Sequence, residues 1–147
     1  MFTPPVVGQT AELHHVVAEA DTAHSLSNPQ VRSLASPRLL HWIEQTASEL
    51  WKGQLSENDV LLGIDFSFRH LAPSPVGSHI TTRLTVIGVD RRKLTYRVEA
   101  VDEAGPICEG TYATFLMPLH RYLERMERRL KERAPAPALL SDLTHPR

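Results

Sequence analysis

From residue 60 onward apolar and polar positions alternate with a period of two, whereas the stretch before it repeats with a helical period. Leu40, Ile43, Ala47, Leu50 and Trp51 recur at three- and four-residue steps, a spacing that buries one face of a helix. Ser36-Pro37 opens that helix, because serine can cap and proline needs no donor at the first helical position. Gly53 offers a stop. Beyond it Leu62, Ile64, Phe66, Phe68 and His70 share one side of a strand, with Asp65, Ser67 and Arg69 on the other. Pro73-Ser74-Pro75-Val76-Gly77 ends that strand. Strand-like runs over 79–89, 93–102 and 107–117 follow, separated by Asp90-Arg91-Arg92-Lys93 and Glu103-Ala104-Gly105-Pro106, and read as an antiparallel meander. A first strand is predicted over 10–18, and the polar segment Asp21–Ser33 is predicted to be irregular. Leu119, Tyr122, Leu123, Met126 and Leu130 mark an amphipathic helix behind Pro118.

Strand, helix, four strands and a last helix make an α+β chain with an antiparallel sheet. Five strands wrapped around one central helix, with a C-terminal helix appended, describe a hotdog fold. One such domain is predicted over residues 1–133, with a disordered tail from Ala134-Pro135-Ala136-Pro137 to Arg147. A sheet with open edges and a single covering helix favours pairing with a second copy, so a homodimer is expected.

Composition narrows the function classes. Sixteen Lys and Arg against 17 Asp and Glu leave a formal net charge of −1, which offers nucleic acid no general basic attraction. The lone cysteine, Cys108, excludes an internal disulfide framework and a cysteine-based zinc site. None of the 8 histidines forms His-x-x-x-His with a carboxylate, and His14-His15 should alternate across a strand, so no metal site is expected. Apolar runs are too short to span a bilayer, and the first residues have no charged signal-peptide region. A cytoplasmic protein with no membrane partner is the expectation.

Three polar residues are candidates for chemistry. Glu44 flanks the apolar stripe of the helix, His70 ends the apolar face of its strand, and Ser36 stands at the helix start. The pattern alone favours a solvent-facing glutamate, a rim histidine and a helix cap. The charge run from Arg121 to Arg133 reads as a solvated helix face.

Ser36-x7-Glu44, Gly63 and His70-Leu71-Ala72-Pro73-Ser74-Pro75-Val76-Gly77, followed by Arg91-Arg92-Lys93-Leu94-Thr95-Tyr96-Arg97-Val98-Glu99-Ala100 and Gly110-Thr111, resemble the fluoroacetyl-CoA thioesterase-like branch of hotdog thioesterases. The resemblance covers about residues 10–130. It implies a dimeric acyl-CoA thioesterase with interface active sites, in which Ser36, Glu44 and His70 are the catalytic residues and Gly63 lets backbone approach the substrate. It implies no cofactor, CoA being part of the substrate. The turn Arg91-Arg92-Lys93 is the candidate contact for CoA phosphates. The family's Gly-x-His-x-Arg is here Gly110-Thr111-Tyr112-Ala113-Thr114, so fluoroacetyl-CoA is not carried over as the substrate.

The residue types suit the chemistry. A thiolate with a pKa of about 8.5 is a fair leaving group, a carboxylate can act as base or nucleophile, and free N–H groups at a helix start can hold an oxyanion. Two other readings stay open: a non-catalytic acyl-CoA-binding dimer, and a hotdog enoyl-CoA hydratase. The second would need an aspartate near the helix start, and none lies between Asp21 and Asp59. In a regular helix from Pro37, Ser36 and Glu44 would stand about 12 Å apart. For the two to meet, the helix must begin near Leu39 or Leu40 with the preceding loop folded back, and that arrangement is the expectation.

Overall fold

The computed structural model describes residues 3–133, and the tail expected to be disordered lies outside them. In chain order come β1 (Thr10–Val16), a 3-10 turn (Glu19–Asp21), α1 (Ala23–Leu26), α2 (Ser36–Leu50), β2 (Asp59–His70), β3 (His79–Asp90), β4 (Lys93–Asp102), β5 (Gly105–Pro118) and α3 (Leu119–Glu132). All five strands form one antiparallel sheet in the order β1-β3-β4-β5-β2, which is the expected hotdog sheet. The segment predicted to be irregular, Asp21–Ser33, instead holds α1, where the Thr22 hydroxyl accepts the Ser25 N–H. Single turns of helix are too short to show a period in sequence.

One helix packs on the inner face of the sheet, over β1 and β3, and reaches β4 at its end. Trp42 stacks on His15 of β1 with ring centroids 4.3 Å apart, and Thr46 Oγ1 bonds Thr82 Oγ1 of β3 at 2.6 Å. At the end of α2 the Trp51 indole N–H donates to the Tyr96 hydroxyl of β4 at 2.9 Å. The buried face of α2 is Leu39, Trp42, Ile43, Thr46 and Ala47, rotated from the stripe read in sequence so that Leu40 and Leu50 are only half-buried. The rotation follows from the off-centre seat of the helix. It points the opposite flank, with Ser36 and Glu44, toward β5 and β2.

The largest departure from the sequence pattern is in β2. Gly63 pairs with Thr114 and Asp65 with Ala113, so Ile64 is an extra, bulged residue. Leu61, Gly63, Phe66, Phe68 and His70 therefore share the inner face with Leu116, Thr114, Tyr112, Gly110 and Cys108 of β5. The expected grouping of Leu62 and Ile64 with Phe66 is corrected by that one residue. As the edge strand, β2 leaves Ile64 48% and Phe66 41% exposed.

Helix α3 forms as expected, yet none of its residues is fully buried: Leu119 and Tyr122 are half-buried, and Leu123, Met126 and Leu130 stay exposed. Among the described residues no helix is long and apolar enough to cross a membrane.

Gly110 is the tightest point of the sheet: a Cβ there would lie 2.6 Å from Phe68 Cβ and collide with the β2 backbone at Ser67 and Phe68. Gly110→Ala should therefore destabilise the fold by roughly 1–3 kcal/mol, the usual range for overpacking. Urea unfolding would measure it; a midpoint equal to wild type would show that β2 is not held against β5 as described.

Candidate active site

The start of α2 is pinned to the loop after β2 by backbone pairing. Leu34 N–H donates to Ser74 C=O at 2.8 Å, Ala35 N–H to Asp21 C=O at 2.9 Å, and Ser33 bridges Pro75. Ser74 is fully buried, and its hydroxyl donates to Asp102 Oδ2 at 2.7 Å, which anchors the loop to the end of β4. Arg38 pairs with Asp21 at 3.2 Å and ties the first turn of the helix to the same corner.

This pinning decides the place of Ser36. The N-cap is Ala35, which makes no side-chain cap bond, and Ser36 is the first helical residue. Both expectations for Ser36 are corrected, because it neither caps the helix nor sits on a folded-back loop beside Glu44. Its Oγ lies 2.7 Å from His70 Nδ1. The extended segment runs straight into the helix because Leu34 and Ala35 are already bonded, which leaves the hydroxyl free for the imidazole. Among the described residues nothing accepts the Ser36 N–H, so a donor at the positive end of the helix dipole lies beside the pair.

Burial holds the His70 imidazole below its ordinary value of 6.5. Its Nε2 is enclosed and has no hydrogen-bond partner among the described residues. The ring is thus neutral at neutral pH, with one nitrogen engaged by serine and the other unsatisfied. Across the sheet its neighbour is Cys108, whose thiol burial pushes up to about 11, so it is protonated and no nucleophile near neutrality.

Glu44 stands eight residues beyond Ser36 on a regular helix, about 12 Å along its axis. Its side chain is exposed and has no hydrogen-bond or ion-pair partner among the described residues. The group it faces is Tyr112: burial raises that phenol above its ordinary value, and the Glu44 carboxylate, then Tyr96, push it further. The three candidates thus fall into two loci within one chain, Ser36 with His70 and Glu44 with Tyr112. Gly63 belongs to the second, since the room left by its missing side chain is taken by the Tyr112 hydroxyl and the Phe66 ring. Lys93 pairs with Phe115, which pairs with Leu62, so the turn Arg91-Arg92-Lys93 lies roughly 25 Å from His70 along β2 at about 3.3 Å per residue. Tyr112 was visible in sequence only as a departure from a motif; its place under Gly63 depends on the β2–β5 register.

A five-stranded antiparallel sheet packed on one long helix is a hotdog fold. A family model described as fluoroacetyl-CoA-specific thioesterase matches residues 17–119, and the chain belongs to that family. Among solved structures it is similar to the fluoroacetyl-CoA thioesterase FlK, with a TM-score of 0.75 at 22% identity over 88% of this chain and 98% of that one. It is also similar to a hot-dog-like protein from Thermanaerovibrio acidaminovorans, with a TM-score of 0.78 at 24% identity over 86% of this chain and 94% of that one. A thioesterase superfamily member from Thermus thermophilus gives a TM-score of 0.75 at 23% identity over 88% of this chain and 95% of that one. No match was found among curated proteins.

Two outcomes follow from the Ser36–His70 pair. Because the folded chain resists protonating His70 and the unfolded chain does not, its contribution to stability is complete above about 6.5 and is lost as pH falls from there through the folded value. The stability gap between wild type and His70→Gln should shrink as pH drops below 6.5, and NMR titration of the ring should give a midpoint under 6.5. A midpoint at or above it would contradict the enclosed ring. Ser36→Ala should cost only the bond to His70, about 0.5–1.5 kcal/mol, with no separate capping loss. A double-mutant cycle with His70→Gln tests this, and additive costs would mean the pair does not interact.

Proposed function

We propose that the protein is an acyl-CoA thioesterase that hydrolyses a short acyl thioester to the free acid and CoA. The observation that carries the reading is the 2.7 Å contact between Ser36 Oγ and the neutral His70 ring at the start of α2. The family supports it, and an FlK variant has been solved in complex with acetyl-CoA.

In this proposal the thioester carbonyl sits at the start of α2. The Ser36 N–H and the helix dipole receive the developing oxyanion. Glu44 takes a proton from water as the water oxygen bonds to the carbonyl carbon. The C–S bond then breaks, and the thiolate leaves with that proton returned. Ser36 and His70 act as one unit that orients the hydroxyl toward the reacting carbonyl. Three cations in the exposed turn, Arg91, Arg92 and Lys93, have no ion-pair partner among the described residues, and the proposal seats the CoA phosphates there.

The separation of about 12 Å between Ser36 and Glu44 on one helix assigns them to different copies. We propose a homodimer in which Ser36 and His70 of one copy face Glu44 of the other. An exposed, unpartnered Glu44 and the uncovered Ile64 and Phe66 of the edge strand support that arrangement.

Release of free thiol from a panel of acyl-CoAs tests the activity. Glu44→Gln and His70→Ala should each lower hydrolysis by about 10²-fold or more while the unfolding transition stays close to wild type. Wild-type binding of acyl-CoA without thiol release would leave a binding module instead. Mixing the two inactive variants under subunit exchange should restore about a quarter of wild-type activity, since half the dimers would be mixed and each would hold one intact site. A mixture as inactive as its parts would return all three residues to one chain.

A further inference from the structure

The inner face between α2 and β2 has an aromatic wall that does not touch the Ser36–His70 pair. Tyr112 is 4% exposed. Its ring centroid is 4.8 Å from Phe66 and 5.7 Å from Tyr96, so it is held from both sides. A Cβ built on Gly63 would stand 2.7 Å from the Tyr112 hydroxyl oxygen and 2.8 Å from Phe66 Cζ, so the open side of that glycine is already filled. The next position along β5, Thr114, is fully buried and bonds Tyr96 Oη at 2.7 Å, which removes its hydroxyl from any ligand. Among the described residues the Tyr112 hydroxyl has no hydrogen-bond partner, so it faces Gly63 without being committed to another protein group. Inward positions of β2, β4 and β5 carry no lysine or arginine. The charge felt by this wall is the carboxylate of Glu44, which acts on the Tyr112 phenol.

We infer that Tyr112 limits the acyl group to a short, uncharged chain: its ring, wedged between Phe66 and Tyr96 against Gly63, fills the space into which a longer acyl group bound beside Glu44 would extend. The inference rests on the proposed binding of the thioester next to Glu44. A terminal carboxylate on the acyl group would meet Glu44 with no cation to neutralise it, which excludes dicarboxylic acyl groups.

The test compares acetyl-, butyryl-, succinyl- and hexanoyl-CoA on the full chain. Alongside turnover it measures binding of stable thioether analogues with a methylene between sulfur and carbonyl. Wild type should favour acetyl over hexanoyl and butyryl over succinyl. Tyr112→Ala should raise the hexanoyl-to-acetyl ratio of kcat/KM by roughly 10-fold or more, the scale on which a pocket reads extra methylenes. Tyr112→Leu should shift it the same way and serves if the alanine variant does not fold. Tyr112→Phe keeps the ring and should keep the ratio. An unchanged ratio in the alanine or leucine variant would overturn the inference, and so would a phenylalanine variant that shifts as far as alanine. Binding of the short analogue in preference to the long one, without turnover of any ester, would sustain the length limit and dismiss hydrolysis. Equal binding of both lengths by wild type would overturn the length limit even if hydrolysis is fast.

Discussion

A helix with its side chains is about 10 Å wide, and five strands spaced about 4.8 Å apart present a face nearly twice that width. One helix therefore cannot cover the concave side of this sheet, and everything functional here follows from which half it covers. Trp42 on His15, Thr46 on Thr82 and Trp51 on Tyr96 seat α2 over β1, β3 and β4. The inward side chains of β5 are still buried, and it is the edge strand β2 that keeps partly exposed rings, Phe66 and Phe68.

The seat is held by polar contacts as much as by apolar burial. Trp51, Tyr96 and Thr114 form a buried chain in which the indole donates to the phenol and the phenol bonds the threonine hydroxyl. Each such bond contributes about 1 kcal/mol net, but loss of one partner leaves a buried group unsatisfied at a cost of about 1–3 kcal/mol. That asymmetry favours one seating of α2 over its neighbours by a turn or a rotation. It also locks Thr114 in the core. The pinning of Leu34 and Ala35 does the same for the other end of the helix, delivering Ser36 to His70. Polar satisfaction thus fixes both ends of one helix, and the two loci of the candidate site stand at separate places along it.

The two loci differ in kind. Ser36 and His70 form a pair whose neutrality comes from burial, with an enclosed nitrogen left unsatisfied. Glu44 is exposed and faces a phenol that burial keeps protonated. A hydroxyl–imidazole pair and a carboxylate are groups capable of general acid–base chemistry. Their spacing along α2 is the physical ground for expecting a second copy to complete each site.

Much of this was legible in sequence. The shift from a helical period to alternation near residue 60 predicted one central helix and a run of antiparallel strands, and the positions of Ser36, Glu44 and His70 could be picked out. Such patterns are local: they report which face of an element is apolar and where it starts or stops. The bulge at Ile64, which moves Leu61 onto the same face as Phe66, is set by the register of β2 on β5, some 50 residues later in the chain. No local pattern marks an extra residue of that kind. The same is true of the Ser36–His70 bond and of Tyr112 under Gly63. Each depends on which strand ends up at the sheet edge and on how far α2 is rotated, and those are decided by packing and hydrogen bonding between segments distant in sequence.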